Sequence, residues 1–249
     1  MSSAPPVACT LMGVPIHRVT VASTLALVTC WIDEGGTHQI ATVNPEFLMK
    51  ARRHRRFRAA LQRVDLCIPD GIGVLWASQL RGAPLPERVT GSDLVPRLSE
   101  EAARRGWRVF YLGAAPGVAE RTAAILQSRH PHLQVAGCYA GSPDAAEADA
   151  IVARIHDSQA DLLFVAYGAP NQDLWLDAHL ARTGAAVGMG VGGSFDFIAG
   201  VTQRAPRWIQ RLGLEWLHRL IQEPWRWRRQ LTLPQFALLV LLGMDEPRH

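Results

Sequence analysis

Lysine is almost missing from this chain. Lys50 is the only one, so arginine carries nearly all of a basic excess of +4. That excess is too mild to imply a nucleic-acid partner, and the placement of the cations matters more than their sum. The arginine bias alone does not point to phosphate recognition either, because codon composition produces it as readily as bidentate binding does. Cysteine is also sparse. Cys9, Cys30, Cys67 and Cys138 are scattered without a Cys-x-x-Cys pair, which argues against a disulfide framework and for a reducing compartment.

Long apolar runs are absent as well. Phe236 to Leu242 is the nearest, far short of the roughly 20 residues of a spanning helix, and Met1 to Val7 has no secretory pattern. The expectation is a cytosolic protein, unless something attaches it to a surface. There is no Asp-x-Asp, no His-Glu-x-x-His and no ligand spacing among His17, His54 and His179, so no metal is expected. A serine hydrolase has no visible nucleophile, because no Gly-x-Ser-x-Gly elbow occurs.

What is present is alternation. Gln39 to Val43, Val64 to Ile68, Arg108 to Leu112, Leu133 to Tyr139, Leu162 to Tyr167 and Ala185 to Val191 read as strands. Between them Asn44 to Leu61, Ser92 to Arg105, Gly117 to Arg129, Ala145 to His156 and Gln172 to Thr183 read as amphipathic helices. This predicts an α/β fold: a Rossmann-like, mainly parallel sheet with helices on both faces. At 249 residues and 48% hydrophobic content the chain can bury one large core. Residues 1–200 are expected to form that core. After Gly200 the composition shifts: Gln203 to Gln230 holds seven arginines interleaved with Trp208, Trp216, Trp225 and Trp227. Residues 201–249 are therefore read as an appendage of short helices, broken at Pro224.

The strand Val64 to Ile68 stops at Pro69-Asp70-Gly71-Ile72-Gly73. A carboxylate at the carboxyl end of a strand, beside backbone that only glycine lets close up, sits where open α/β sheets bind ligands. Asp70 is thus the first candidate for a catalytic base, against the plainer reading of a turn aspartate bonding its own backbone. Thr42-Val43-Asn44-Pro45-Glu46 ends a strand at a helix that Asn44 can cap, and it also offers donors and a positive dipole end to an anionic or hydroxyl-rich ligand. Arg88 arrives just before Ser92, a plausible helix cap, and can clamp phosphate or pair with a carboxylate. Gly113 lies in a turn whose amides can cradle a diphosphate, or is a plain tight turn. Gln172, after Asn171, can bond a sugar hydroxyl or a uracil edge, or be an exposed first-turn residue beside Asp173 placed for the helix dipole. Gly188 to Gly193 contains G-x-G-x-x-G, which raises a nicotinamide-dependent oxidoreductase as a rival. No βαβ unit or ribose-binding acid follows it.

Taken in order, Thr42-Val-Asn44-Pro-Glu46, Pro69-Asp70-Gly71-Ile-Gly73, Arg88-Val-Thr-Gly91-Ser-Asp93-Leu94, Gly168-Ala-Pro170-Asn-Gln172-Asp, Gly192-Gly193-Ser-Phe195-Asp196 and Arg204-Ala-Pro206-Arg-Trp208 through Gly213-Leu214-Glu215-Trp216 resemble the WecG/TagA/CpsF glycosyltransferase family. The resemblance implies an inverting transferase that needs no cofactor and no metal. It would move a sugar from a UDP-sugar to a saccharide on a polyprenyl diphosphate in bacterial surface polysaccharide synthesis. It places Thr42 and Asn44 near the sugar, makes Asp70 the base, puts Arg88 on the phosphate side, and carries the family's Gln to Gln172; Asn171 beside it and Gly193 of the quoted glycine run are kept as candidate substrate-binding residues. Asn171 and Asp173 depart from the basic residue and the glutamate common there.

With no metal, the leaving diphosphate must be neutralised by arginines and helix amino termini. Arg219, Arg226 and Arg229 of the appendage are expected to supply part of that charge. The Arg and Trp side chains also suit an anionic membrane surface, which implies a peripheral protein on the inner face of the cell membrane. A module that only binds nucleotide-sugar or lipid carrier is the non-enzymatic rival. Subunit count stays open, a homo-oligomer included.

Overall fold

Six β-rich runs become the six strands of one parallel sheet, five of them buried along nearly their whole length and the edge run Gln134–Tyr139 half-buried. In the computed structural model, residues 5–206, 208–209, 215–222 and 231–244 are described. The sheet strands are β3 (His38–Val43), β4 (Leu66–Pro69), β5 (Arg108–Gly113), β6 (Gln134–Tyr139), β7 (Leu162–Ala166) and β8 (Val187–Gly190). They lie side by side in the order β4-β3-β8-β7-β5-β6, and every neighbouring pair is parallel. A sheet buried on both faces needs continuous rather than alternating hydrophobicity, which is what these runs carry. Alternate residues still serve different layers. Tyr111 and Phe164 pack in one, Phe110, Leu112, Leu163 and Val165 in the other.

The helices are α1 (Val21–Glu34), α2 (Pro45–Arg53), α3 (Arg55–Arg63), α4 (Ile72–Leu80), α5 (Gly91–Arg105), α6 (Val118–Arg129), α7 (Ala145–Ser158), α8 (Asn171–Thr183) and the short α9 (Ser194–Ile198). The expected helix over Asn44 to Leu61 is two helices. His54 ends α2 and, with Nδ1 accepting from the Phe57 amide at 3.1 Å, begins α3. A side chain that caps is what interrupts the amphipathic run, and periodicity alone does not show it. Ser92 is likewise not the cap of α5. That role belongs to Thr90, whose Oγ1 accepts from the Asp93 amide at 3.1 Å.

An antiparallel hairpin precedes the sheet, β1 (Val7–Leu11) and β2 (Val14–His17), and the strand reading above omitted it. Its two-residue turn, Met12-Gly13, has positive φ at both positions, which matches the twist of a tight hairpin. The hairpin lies against β4, where His17 Nδ1 accepts the Cys67 amide proton at 2.9 Å. One edge of the sheet is thereby covered.

Past Gly200 the described residues include α10 (Glu215–Gln222) and α11 (Thr232–Leu241). The expected break at Pro224 lies outside the described residues. Helix α11 packs on α2 and α4, and its Phe236 and Val240 are buried in the same cluster as Phe47, Met49 and Ala77. No helix among the described residues is long and apolar enough to cross a membrane.

Candidate active site

The carboxyl ends of β3, β4, β7 and β8 open into a cavity of about 1000 Å³, also lined by residues of α10 and α11. Two turns build its floor. After β3, Asn44 caps α2 through Oδ1, which accepts the Phe47 amide proton at 3.0 Å, while Pro45 takes the first helical position. After β4, Gly71 and Gly73 press on Pro45 so closely that an added Cβ would lie 2.8 Å and 2.7 Å from its ring. Only glycine permits that approach, and it is what brings Asp70 beside Asn44. The Asp70 amide donates to the Val43 carbonyl at 2.8 Å, holding the two turns together.

Burial raises the Asp70 carboxyl to about 7. The Arg88 guanidinium and a hydrogen bond from the Gly91 amide oppose that rise, while Glu215 and Asp93 add to it. A carboxyl poised near neutrality can accept a proton in one step and release it in the next. Thr42, in the preceding strand, donates its hydroxyl to the Gly190 carbonyl at 3.0 Å, so its methyl and oxygen are held at the cavity wall.

The opposite wall comes from the turns after β7 and β8. Gln172 is buried rather than exposed, and its Oε1 accepts from the Gly168 amide at 3.1 Å and the Gly192 amide at 2.9 Å. It therefore ties both turns together while lining the cavity. Asp173 is fully buried beneath it, and burial raises its carboxyl to about 8 against the pull of the Gln172 amide. Asp173 does stand in the first turn of α8, but buried in the fold rather than at its surface.

Thr42, Asn44, Asp70, Arg88, Gln172 and Gly193 all line the one cavity. Gly113 and Asn171 do not. Gly113, at φ +98, lies where an added Cβ would meet the Ala166 backbone at 2.9 Å, so it serves the packing of β5 on β7. Asn171 is exposed at the start of α8. Arg226 and Arg229 lie outside the described residues, as does the side chain of Arg219.

Four residues that the sequence did not place in the site also line it: Lys50, Arg204, Glu215 and Trp216. Arg88 Nη1 stands 2.5 Å from Glu215 Oε2, Arg204 Nη1 stands 2.6 Å from Asp93 Oδ1, and Arg204 Nε lies 3.4 Å from Glu215 Oε1. Arg204 and Glu215 belong to motifs quoted above. Their signal was present, but the contact across more than a hundred residues that gives it meaning was not.

The glycines of the G-x-G-x-x-G run have a different use. An added Cβ at Gly188 would sit 2.6 Å from Leu180, and one at Gly190 2.6 Å from the Gln172 amide, so both let α8 close on β8. The short α9 follows, not a second βαβ unit, which removes the ground for a dinucleotide reading. Among the described residues no group of three or more His, Cys, Asp or Glu side chains is arranged to hold a metal ion.

Comparison with known proteins gives the family. Residues 9–248 match the model of the glycosyl transferase WecG/TagA/CpsF family. The chain is 38% identical over 216 residues to the N-acetylglucosaminyldiphosphoundecaprenol N-acetyl-beta-D-mannosaminyltransferase of Bacillus spizizenii, covering 86% of this chain and 83% of that protein. The like-named enzyme of Bacillus subtilis is 36% identical, with 85% and 82% covered, and that of Staphylococcus aureus (strain MW2) 30%, with 91% and 89% covered. On the family match over nearly its whole length and on these relatives, the chain is a glycosyltransferase belonging to the WecG/TagA/CpsF family.

Proposed function

We propose that the protein moves a sugar from a UDP-sugar, with inversion and without a metal, onto a saccharide carried by a polyprenyl diphosphate. The observation that carries this is Asp70, which lines the same cavity as Thr42, Asn44 and Arg88 and whose carboxyl burial raises to about 7. Inversion needs one base. Asp70 takes the acceptor hydroxyl proton as that oxygen bonds to the anomeric carbon, and the bond from that carbon to the donor diphosphate breaks on the opposite face. The leaving UDP carries the new charge, which Arg88 is placed to neutralise.

The relatives' names speak of N-acetylmannosamine transfer to an N-acetylglucosaminyl diphosphate lipid, so that pair stands first for assay. UDP release with this donor and a polyprenyl-diphosphate acceptor tests the reading directly. Turnover is expected to be unchanged by EDTA. Full loss on chelation, restored by manganese, contradicts the metal-free route.

A lipid-linked acceptor requires contact with a membrane. Trp216, Leu217 and Ile221 on α10 and Leu238 and Leu241 on α11 are exposed, which supports seating of this end of the molecule at an anionic bilayer surface. The reading puts the protein peripherally on the inner face. In flotation with anionic vesicles the protein is expected to rise with the lipid, less so at high salt. No flotation at either salt concentration sinks the membrane role.

A further inference from the structure

Every lysine and arginine among the described residues of the cavity wall faces a carboxylate. Lys50 Nζ is 3.0 Å from Glu46, and Arg88 and Arg204 share Glu215 while Arg204 also holds Asp93. The Arg88-Arg204-Asp93-Glu215 cluster thus sums to no net charge, and Asp70 beside it can only add negative charge. Among the described residues, a diphosphate entering this cavity would therefore meet no lysine or arginine that is not already balanced by a carboxylate.

The geometry resolves this difficulty. One Glu215 oxygen lies on Arg88 and the other toward Arg204, a carboxylate bridging two guanidinium groups, as a phosphate oxygen pair would. We infer that Arg88 and Arg204 form one anion site, which Glu215 fills until the donor's diphosphate takes its place. The inference rests on the donor reading above and adds to it a second arginine and an internal competitor.

Of the two carboxylates, Glu215 is the one able to leave. Asp93 is fastened in the first turn of α5, its Oδ2 accepting from the Thr90 hydroxyl at 2.7 Å and its amide bonded to Thr90 Oγ1. Arg88 is fastened on the neighbouring backbone, where the Val89 amide donates to the Pro69 carbonyl at 2.9 Å. Glu215, by contrast, is the first residue of an eight-residue helix. Exchanging one anion for another also leaves the Arg88 guanidinium balanced beside Asp70 throughout. Donor binding is therefore coupled to release of the α10 amino terminus from the wall.

Calorimetry on the full chain separates this from a purely structural ion pair. Glu215→Gln is expected to bind inorganic pyrophosphate and UDP about tenfold more tightly than the unaltered chain, with uridine unaffected, and Arg204→Gln to lose most of the pyrophosphate affinity. Unchanged or weaker pyrophosphate binding by Glu215→Gln overturns the inference. A second measurement needs no variant: pyrophosphate, but not uridine, is expected to alter hydrogen exchange at residues 215–222, and no change there overturns it equally. The two readings fail separately. Tightening toward pyrophosphate without any UDP binding leaves the anion site standing and removes the donor. Turnover of a UDP-sugar with no tightening in Glu215→Gln does the reverse.

Discussion

Replacing Asp70 by Asn is expected to lower turnover by a factor on the order of 10²–10⁴ while leaving UDP affinity within a few-fold of the unaltered protein. The amide keeps the shape of the side chain and its place between Asn44 and the Gly91 amide, and removes only the ability to take a proton. The pH dependence follows from the same group. Its carboxyl sits near 7, so kcat/KM should rise with pH through about 7 and flatten above it. Arg88→Gln should move that limb upward, because the guanidinium is the main influence holding the carboxyl down.

Stability moves the other way. A carboxyl raised from its ordinary 3.8 to about 7 binds its proton more tightly in the folded chain than in the unfolded one. Folding is therefore opposed increasingly as pH climbs from about 4 to about 7, and the cost persists above that. Asp70→Asn removes the ionisation, so its melting temperature at pH 8 should exceed that of the unaltered protein. A variant that is both inactive and more stable is the mark of a charge kept in place for chemistry. Retained turnover, or an acid limb near 4, would show that the base lies elsewhere. Retained UDP binding with turnover abolished would also dispose of the view that the protein only binds nucleotide-sugar.

The second large effect concerns the carboxyl-terminal segment. Phe236 is 2% exposed, its ring among Phe47, Met49 and Ala77, and an added Cβ at Gly73 would lie 3.7 Å from it. Truncating it to Ala should destabilise the protein by about 3–5 kcal/mol, from lost apolar burial and the cavity left behind. For a chain of this size that corresponds to a melting temperature lower by roughly 10 °C. Donor binding should weaken with it, because Leu233, Pro234 and Ala237 of the same helix line the active-site cavity. A single cooperative transition shifted by this amount would establish that α11 unfolds with the Rossmann-like core. An unchanged transition would mean that residues 232–241 fold apart from it.

Much of the fold is legible in the residues themselves. A strand that must be apolar on both faces announces itself as a short continuous run, and all six sheet strands did so to within a few residues. Asn44 and Pro45 state the start of α2 by their own chemistry. The misses share one cause. The Met12-Gly13 hairpin, the His54 break and the Thr90 cap are each decided by one or two residues whose backbone conformation or side-chain bond is not a matter of periodicity. Gly113 and Gly188 look like ligand-binding glycines in sequence and are packing glycines in space, since both uses need the same missing Cβ.

The amino-acid sequence by itself determined the α/β class, the family, and the residue types on the cavity floor, because hydrophobic period, turn chemistry and ordered motifs are local properties. Only the tertiary structure decided that Glu215 meets both Arg88 and Arg204, that α11 lines the cavity while burying Phe236 and Val240 in the core, and that burial raises the Asp70 carboxyl to about 7. Each of these depends on distance across the fold and on how much water remains around a charge, and neither quantity exists until the chain has folded.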